Sequence, residues 1–199
     1  GCGFIGQLLA RAVLRRGKLM THGPGGEATT AVSKVVLADV ARPNTLLFPE
    51  LETDADIQLG DVADASYCRA LLGGAEDVSV FHLGAIMSGQ GEVDFDRCLA
   101  VNLDGTRNIL EAARHCDAPR PRVLMTSTSA SFGAGTPTDF LSKDDTVSDA
   151  TRATPHSTYG ASKACAELLL QDYSRKGFVD GRACRLQTVV VRAGAPNAA

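Results

Sequence analysis

Two residues suited to proton transfer, Tyr159 and Lys163, stand four positions apart in the stretch YGASK. Positions i and i+4 of a helix share one face, so the lysine ammonium can lower the pKa of a phenol that is ordinarily near 10. Such a tyrosine becomes a usable general base for a hydroxyl proton. By itself, this spacing is more often a surface tyrosine beside a surface lysine.

A run of four hydroxyl side chains at residues 126–129 (TSTS) supports the catalytic interpretation. The run begins at the end of an apolar stretch that is typical of a strand, and it lies upstream of Tyr159. A hydroxyl there can hydrogen-bond a substrate oxygen while Tyr159 takes the proton and a cofactor accepts a hydride. The combination favours an enzyme that oxidises an alcohol.

Two glycines near the start of the chain, Gly3 and Gly6, precede an amphipathic helical pattern. Glycines in this position let a pyrophosphate approach the positive N-terminus of a helix, although the spacing alone is more often structural. The chain begins inside this motif, at Gly1 and without an initiator methionine. We therefore expect a stretch of a longer protein, truncated at both ends and unstable by itself.

Two aspartates follow predicted strands, where a dinucleotide would lie. Asp39 can accept hydrogen bonds from an adenosine ribose, and the irregular segment 18–34 accounts for its large separation from Gly6. A carboxylate there repels a 2′-phosphate and favours NAD, while the nearby Arg42 keeps NADP open. Asp61 can accept from the adenine amino group, or it can be a turn or N-cap aspartate.

Hydrophobic spacing predicts the elements that must position these residues. Helices are predicted for residues 6–16, ending at Gly17, and for 63–72, 94–115 and 158–175; strands are predicted for 35–39, 57–59, 78–83, 122–126 and 184–192. In the third helix, Phe95, Leu99, Asn102 and Thr106 are expected on one face. The segment 18–34 is expected to be a loop or a long hairpin. This alternation predicts an α/β fold, a doubly wound parallel sheet between two helical layers, in a single domain over 1–199.

Composition excludes several classes of partner. The 199 residues include 20 Lys and Arg against 23 Asp and Glu, a net charge of −3. No basic block predicts nucleic-acid binding, and no apolar run of about 18 residues predicts a membrane span, so we expect a small-molecule substrate. The six cysteines show no metal-ligand spacing. We expect no metal and no disulfide, but buried, reduced thiols in a cytoplasmic protein; His82 and His156 are expected to be structural.

Five segments together resemble the extended short-chain dehydrogenase/reductase superfamily, in its NAD-dependent epimerase/dehydratase group. They are residues 3–6 (GFIG), 81–85 (FHLGA), 101–106 (VNLDGT), the hydroxyl run and the YGASK stretch. The resemblance covers essentially the whole chain and implies a Rossmann-like fold with NAD as cofactor.

The resemblance also implies roles for individual residues. Tyr159, Lys163 and Thr128 match the catalytic residues, with Ser127 as an alternative to Thr128. The expected cofactor-binding residues are Gly3, Phe4, Ile5, Gly6, Asp39, Asp61, Val62, Leu83, Gly84, Ala85, Asn102 and Lys163. Asn102 is expected to be mainly structural, and Gly84 replaces an alanine of the family pattern.

Within the group, the excursion before Asp39 and the segment 167–197 resemble enzymes that use NAD to oxidise the hydroxyl beside the carboxylate of a four-carbon sugar acid, D-erythronate. Two alternatives remain: a nucleotide-sugar epimerase or dehydratase, and an inactive NAD-binding fragment. Ser129 and Ala130 disfavour a dehydratase, which usually has an acidic residue there.

Three departures from the family pattern bear on these expectations. The first motif glycine and the first strand do not precede Gly1, Ala193 stands where the family has proline, and the chain ends at Ala199 before most of the substrate-binding part. The resemblance further implies a possible homodimer through the helices that contain Asn102 and Tyr159.

Overall fold

The computed structural model describes residues 1–23, 26–133 and 147–185. The helices are α1 (Phe4–Arg16), α2 (Leu51–Asp54), α3 (Ala65–Leu72), α4 (Ser88–Val93), α5 (Phe95–Leu99), α6 (Gly105–Arg114) and α7 (Thr158–Arg175). The strands are β1 (Lys18–Gly23), β2 (Gly26–Ala31), β3 (Val36–Asp39), β4 (Asp56–Leu59), β5 (Ser79–His82), β6 (Arg122–Ser127) and β7 (Asp180–Arg185).

Parallel strands alternate with helices, which confirms the predicted α/β class. β3 pairs in parallel with β4, and β5, β6 and β7 form a parallel sheet in that order. In a doubly wound sheet, the strand that precedes the glycine turn lies between two such groups. Residues 1–23, 26–133 and 147–185 contain no strand between these two groups. Within these residues the parallel sheet therefore consists of two separate sections, one formed by β3 and β4 and the other by β5, β6 and β7. Separately, β1 and β2 form an antiparallel hairpin, which is one of the two structures expected for segment 18–34.

Local signals set the ends of the main helices. α1 ends where Gly17 adopts a left-handed conformation with φ +65° and donates its N–H to the Val13 carbonyl. The Asp64 side chain caps α3, so Asp61 is not the N-cap of that helix. α7 has the predicted bounds, and its N-cap Ser157 accepts from the Gly160 N–H.

The predicted helix 94–115 is divided into three parts. α5 is followed by a π-helical segment, Ala100–Asp104, and then by α6. Asn102 and Thr106 are buried, but Phe95 is exposed, so the prediction of one shared face is wrong for Phe95. A π turn interrupts the regular spacing of 3.6 residues on which that prediction depends.

The last predicted strand also differs. It begins at Asp180 rather than at Cys184, and the part of the prediction beyond Arg185 lies outside the described residues. All six cysteines are free thiols, but Cys165 is exposed, so the expectation of burial is wrong for that residue.

The main core lies where α3, α6 and α7 pack on the sheet. Its members are mostly aliphatic side chains: Cys68, Leu72, Ile109, Leu110, Ala112, Ala113, Val123, Met125, Ala166, Leu170 and Val179. Burial of this apolar surface is the main stabilising contribution that holds α7 against β6. Among the described residues, no helix is long and apolar enough to cross a bilayer.

Candidate active site

The packing of α7 on β6 brings Tyr159 and Lys163 to the carboxyl end of the strand. Tyr159 is 9% exposed and Lys163 is 1% exposed, so neither is a surface residue. The Lys163 Nζ donates to the Thr126 carbonyl oxygen at 2.8 Å. The structure thus places the tyrosine and the lysine in one buried site at the strand end.

Thr128 joins this site, whereas Ser127 does not. The hydroxyl of Thr128 lies close enough to the Tyr159 phenol to lower the pKa of that phenol by hydrogen bonding, and it accepts from the Ala130 N–H at 3.1 Å. Ser127 is buried, and its hydroxyl has no hydrogen-bond partner among the described residues. Adjacent strand residues face opposite sides, so only one of the two hydroxyls can face Tyr159.

The charge states of the site follow from its burial. Burial raises the pKa of the Tyr159 phenol, and the hydrogen bond with Thr128 acts in the opposite direction. This differs from the expectation of a lowered pKa, because desolvation of the phenol is the largest cause and Lys163 is not among the groups that shift its pKa. Burial lowers the pKa of Lys163 to about 8, and the Glu167 carboxylate opposes that shift.

Asn102 connects the segment after β5 to α7. Its Oδ1 accepts from the Ile86 N–H at 2.7 Å, and its Nδ2 donates to the Ile86 carbonyl at 3.0 Å and to the Ser162 hydroxyl at 3.2 Å. Leu83, Gly84 and Ala85 immediately precede Ile86 and are half-buried. Asn102 therefore holds this segment in place through the backbone of Ile86.

His82 supports the same arrangement from β5. Its Nε2 lies 3.0 Å from the Thr106 hydroxyl, which donates to the Asn102 carbonyl at 2.6 Å. A hydroxyl has one proton, which Thr106 gives to the Asn102 carbonyl, so His82 must donate from Nε2. Burial lowers the pKa of His82 to about 3, with the Lys163 charge as a smaller cause. His82 has the structural role expected of it.

The glycine turn before α1 fits a phosphate group. A Cβ on Gly6 would lie 2.0 Å from the Gly1 carbonyl oxygen, so this contact requires glycine. A Cβ on Gly3 would meet no atom within 4 Å, which leaves open space at the helix N-terminus. Phe4 and Ile5 are exposed beside that space. Main-chain N–H groups at a helix N-terminus are suited to an anion.

Asp39 lies next to this turn at the end of β3. Its Oδ2 accepts from the Cys2 N–H at 2.8 Å, and its Oδ1 from the Ala41 N–H at 3.4 Å. Arg42 forms an ion pair with Glu52, so its charge is partly neutralised.

Asp61 and Val62 follow β4. Asp61 accepts from the Ala63 N–H at 2.9 Å and from the Arg97 guanidinium at 2.6 Å. The Val62 carbonyl accepts from the Asn108 side chain at 3.0 Å.

Four further residues contribute to the site although no sequence pattern predicts them: Ile86, Arg97, Glu167 and Arg185. The partners of all four lie on other elements or in other turns, and no short motif contains them. Residues 1–23, 26–133 and 147–185 hold no group of three or more His, Cys, Asp or Glu side chains that could bind a metal.

Comparison with known proteins is consistent with this geometry. The model of the NAD dependent epimerase/dehydratase family matches residues 1–196. The chain is 43% identical to the D-erythronate dehydrogenase of Cupriavidus necator and 37% identical to that of Haemophilus influenzae. Each alignment covers 100% of this chain and 56% of the relative.

A solved structure, described as a nucleoside-diphosphate-sugar epimerase from Agrobacterium tumefaciens, superposes with a TM-score of 0.74 at 35% identity. That superposition covers 100% of this chain and 54% of the other. The chain thus spans about half the length of the proteins it matches. It belongs to the NAD-dependent epimerase/dehydratase family.

Proposed function

We propose that this chain is a single NAD-binding domain of an NAD-dependent dehydrogenase, which oxidises the 2-hydroxyl of a four-carbon sugar acid such as D-erythronate. The observation that carries the proposal is the burial of Tyr159 and Lys163 at the end of β6, with the Lys163 Nζ 2.8 Å from the Thr126 carbonyl oxygen and Thr128 two residues further along the chain. The identity of 43% to a D-erythronate dehydrogenase supports the substrate class.

The three side chains divide the work of alcohol oxidation. Thr128 orients the substrate hydroxyl, and the ionised Tyr159 removes its proton. Lys163, one helical turn from Tyr159, is the cation available to stabilise that tyrosinate during the reaction. When bound, NAD supplies the acceptor for the hydride that leaves the carbon atom bearing the substrate hydroxyl. The balanced result is a 2-keto acid, NADH and one proton.

The cofactor would lie across the carboxyl ends of β3, β4 and β5. Gly3, Gly6 and the N-terminus of α1 would hold the pyrophosphate, with Phe4 and Ile5 beside it, and Asp39 the adenosine ribose. We assign the remaining contacts to Asp61, Val62, Leu83, Gly84, Ala85 and Lys163. Asn102 would act indirectly, because its buried amide is bonded to Ile86 and Ser162.

The pairing of Arg42 with Glu52 supports NAD over NADP. An NADP site needs a cation for the 2′-phosphate, whereas here the Arg42 charge is paired and Asp39 supplies a negative charge.

A nucleotide-sugar epimerase is the second candidate. Its support is the 35% identity, over the whole chain, to a structure described as a nucleoside-diphosphate-sugar epimerase. The same three side chains could oxidise a sugar transiently, but such a reaction would release no NADH.

The deciding experiment uses the longest natural protein that contains these residues. NADH formation is followed with D-erythronate and related sugar acids, for the wild type, Tyr159→Phe and a control, Tyr173→Phe. Tyr173 lies on the same helix but bonds to Glu111, away from the site. Turnover that is lost only in Tyr159→Phe supports the proposal. Tight NAD binding without turnover of any acid would favour the epimerase.

We also propose a homodimer through the helical region that contains Asn102, formed by α5 and the π-helical segment Ala100–Asp104, and through α7, which contains Tyr159. Among the described residues of these helices and the adjoining α4, Phe95, Leu168 and Val93 are exposed, the last with 88% of its surface accessible. Exposed apolar side chains on neighbouring helices are typical of an association surface. The six free thiols support a reducing, cytoplasmic location.

A further inference from the structure

Arg185, at the end of β7, makes contacts with three other segments. Its Nε donates to Glu167 Oε1 at 2.9 Å, and its Nη2 bonds to the second oxygen of the same carboxylate. Its Nη1 donates to Asp149 Oδ1 at 2.7 Å. The guanidinium also lies 4.8 Å from the centre of the Phe132 ring.

These contacts connect two parts of the candidate active site, which are α7 and the turn that follows Thr128. Glu167 belongs to α7, which carries Tyr159 and Lys163. Phe132 is buried in the short 3-10 turn, Ser129–Phe132, that Thr128 caps. A bidentate arginine–carboxylate pair fixes orientation as well as distance. Arg185 therefore contacts both α7, through Glu167, and the turn after Thr128, through Phe132.

Glu167 also has an electrostatic effect on Lys163. The two residues are one helical turn apart, and Glu167 is only 6% exposed, so solvent screens its charge weakly. The other titratable groups near Lys163 are Cys98 on α5, His82 on β5 and Tyr159 on α7 itself. Among the causes acting on the pKa of Lys163, the Glu167 carboxylate is the largest one that opposes burial.

We infer that Glu167 and Arg185 are a positioning pair for catalysis. Arg185 fixes the Glu167 carboxylate one turn from Lys163, where it keeps the ammonium protonated, and the same guanidinium holds the Thr128 turn against α7. The inference rests on the proposed function only in assigning catalytic work to Lys163 and Thr128.

A purely structural ion pair would behave differently. Removing one partner of such a pair costs stability because the other charge is left unpaired, so a loss of stability alone does not identify a positioning role. The first test is therefore the titration of Lys163, followed by NMR of 13Cε-labelled lysine in the longest natural protein without substrate. Lys163→Met assigns the signal.

We expect Glu167→Gln to move the midpoint of Lys163 to lower pH. Asp172→Asn is the matched control, because Asp172 is an exposed carboxylate of α7 that pairs with Arg175. An unchanged midpoint in Glu167→Gln would overturn the inference. This readout needs no turnover, so its failure is distinguishable from failure of the proposed function.

The second test is the pH profile of kcat, if the wild type turns over a sugar acid. Loss of the Lys163 proton limits activity at high pH, so Glu167→Gln should lose about tenfold in kcat near pH 9 while KM changes little. Glu167→Asp keeps the charge and should restore part of that loss. A uniform loss at all pH values would contradict the inference.

A third variant covers the case in which Glu167→Gln does not fold. Arg185→Lys keeps the positive charge but removes the two-pronged bond to Glu167. We expect kcat to fall about three- to tenfold with KM near the wild-type value, since the Thr128 turn is held less firmly. Wild-type kcat in this variant would overturn the inference.

Discussion

The ammonium group of Lys163 donates a hydrogen bond to the backbone carbonyl oxygen of Thr126, 2.8 Å away at the end of β6. The acceptor belongs to the main chain, so the position of Lys163 depends on the strand and not on a mobile side chain. The same strand ends just before Thr128. The hydrogen bond between Lys163 and Thr126 therefore holds the lysine of α7 close to Thr128, which follows Thr126 by two residues.

The first prediction concerns which hydroxyl of the 126–129 run acts in catalysis. Thr128→Val removes the group that bonds to Tyr159, and we expect kcat to fall about 100-fold, while Thr128→Ser keeps most activity. Ser127→Ala should remain near the wild type in steady-state assays with the sugar acid, because it removes a hydroxyl without a described partner. A larger loss in Ser127→Ala than in Thr128→Val would assign the role to Ser127.

The second prediction concerns cofactor choice. Asp39→Asn should weaken NAD binding by tenfold or more, since a hydrogen bond to a charged group contributes about 1.5–3 kcal/mol. Its preference for NAD over NADP should shrink as well. Glu52→Gln should strengthen NADP binding alone, because it releases Arg42 from its ion pair. Calorimetric titration with both cofactors measures these effects, and equal losses for NAD and NADP in Asp39→Asn would argue against a ribose contact.

The third prediction concerns acid stability. Burial holds the pKa of His82 at about 3, below its ordinary value of 6.5, so the unfolded chain binds a proton that the folded chain does not. The stability contributed by the neutral imidazole is present above pH 6.5 and is lost as the pH falls towards 3. His82→Gln should flatten the dependence of the unfolding free energy on pH in this range.

Urea unfolding between pH 7 and pH 4 measures the effect. His115→Gln is the control, because His115 is exposed at the end of α6. If the unfolding free energy falls equally with pH in the wild type and in His82→Gln, another group causes the acid sensitivity.

The fourth prediction concerns oligomeric state. Leu168 exposes 66% of its surface on α7, and Leu168→Glu would place a charge in the proposed dimer interface. We expect sedimentation equilibrium to show a dimer for the wild type and a monomer for Leu168→Glu. Leu47→Glu also charges an exposed leucine, but Leu47 lies between β3 and α2, and this control should remain dimeric. A monomeric wild type would reject the interface.

Local signals made several elements predictable from sequence. Ser157 and Gly17 determine helix ends through hydrogen bonds to residues no more than four positions away. The bounds of α7 and the placement of Tyr159 and Lys163 one helical turn apart follow from the same short-range geometry. The π turn around Asn102 has no such signal, and the prediction of a regular helix therefore misplaced Phe95.

The sequence by itself determined which chemistry is available: a tyrosine and a lysine on one helix face, a hydroxyl-rich strand end, and a glycine turn before a helix. Only the tertiary structure decided that Thr128 rather than Ser127 faces Tyr159, because that depends on which side of β6 the helix covers. It also brought together Glu167 and Arg185, which are 18 positions apart on different elements. The direction of the pKa shift of Tyr159 was likewise decided by folding, because desolvation depends on the whole core that closes over the phenol.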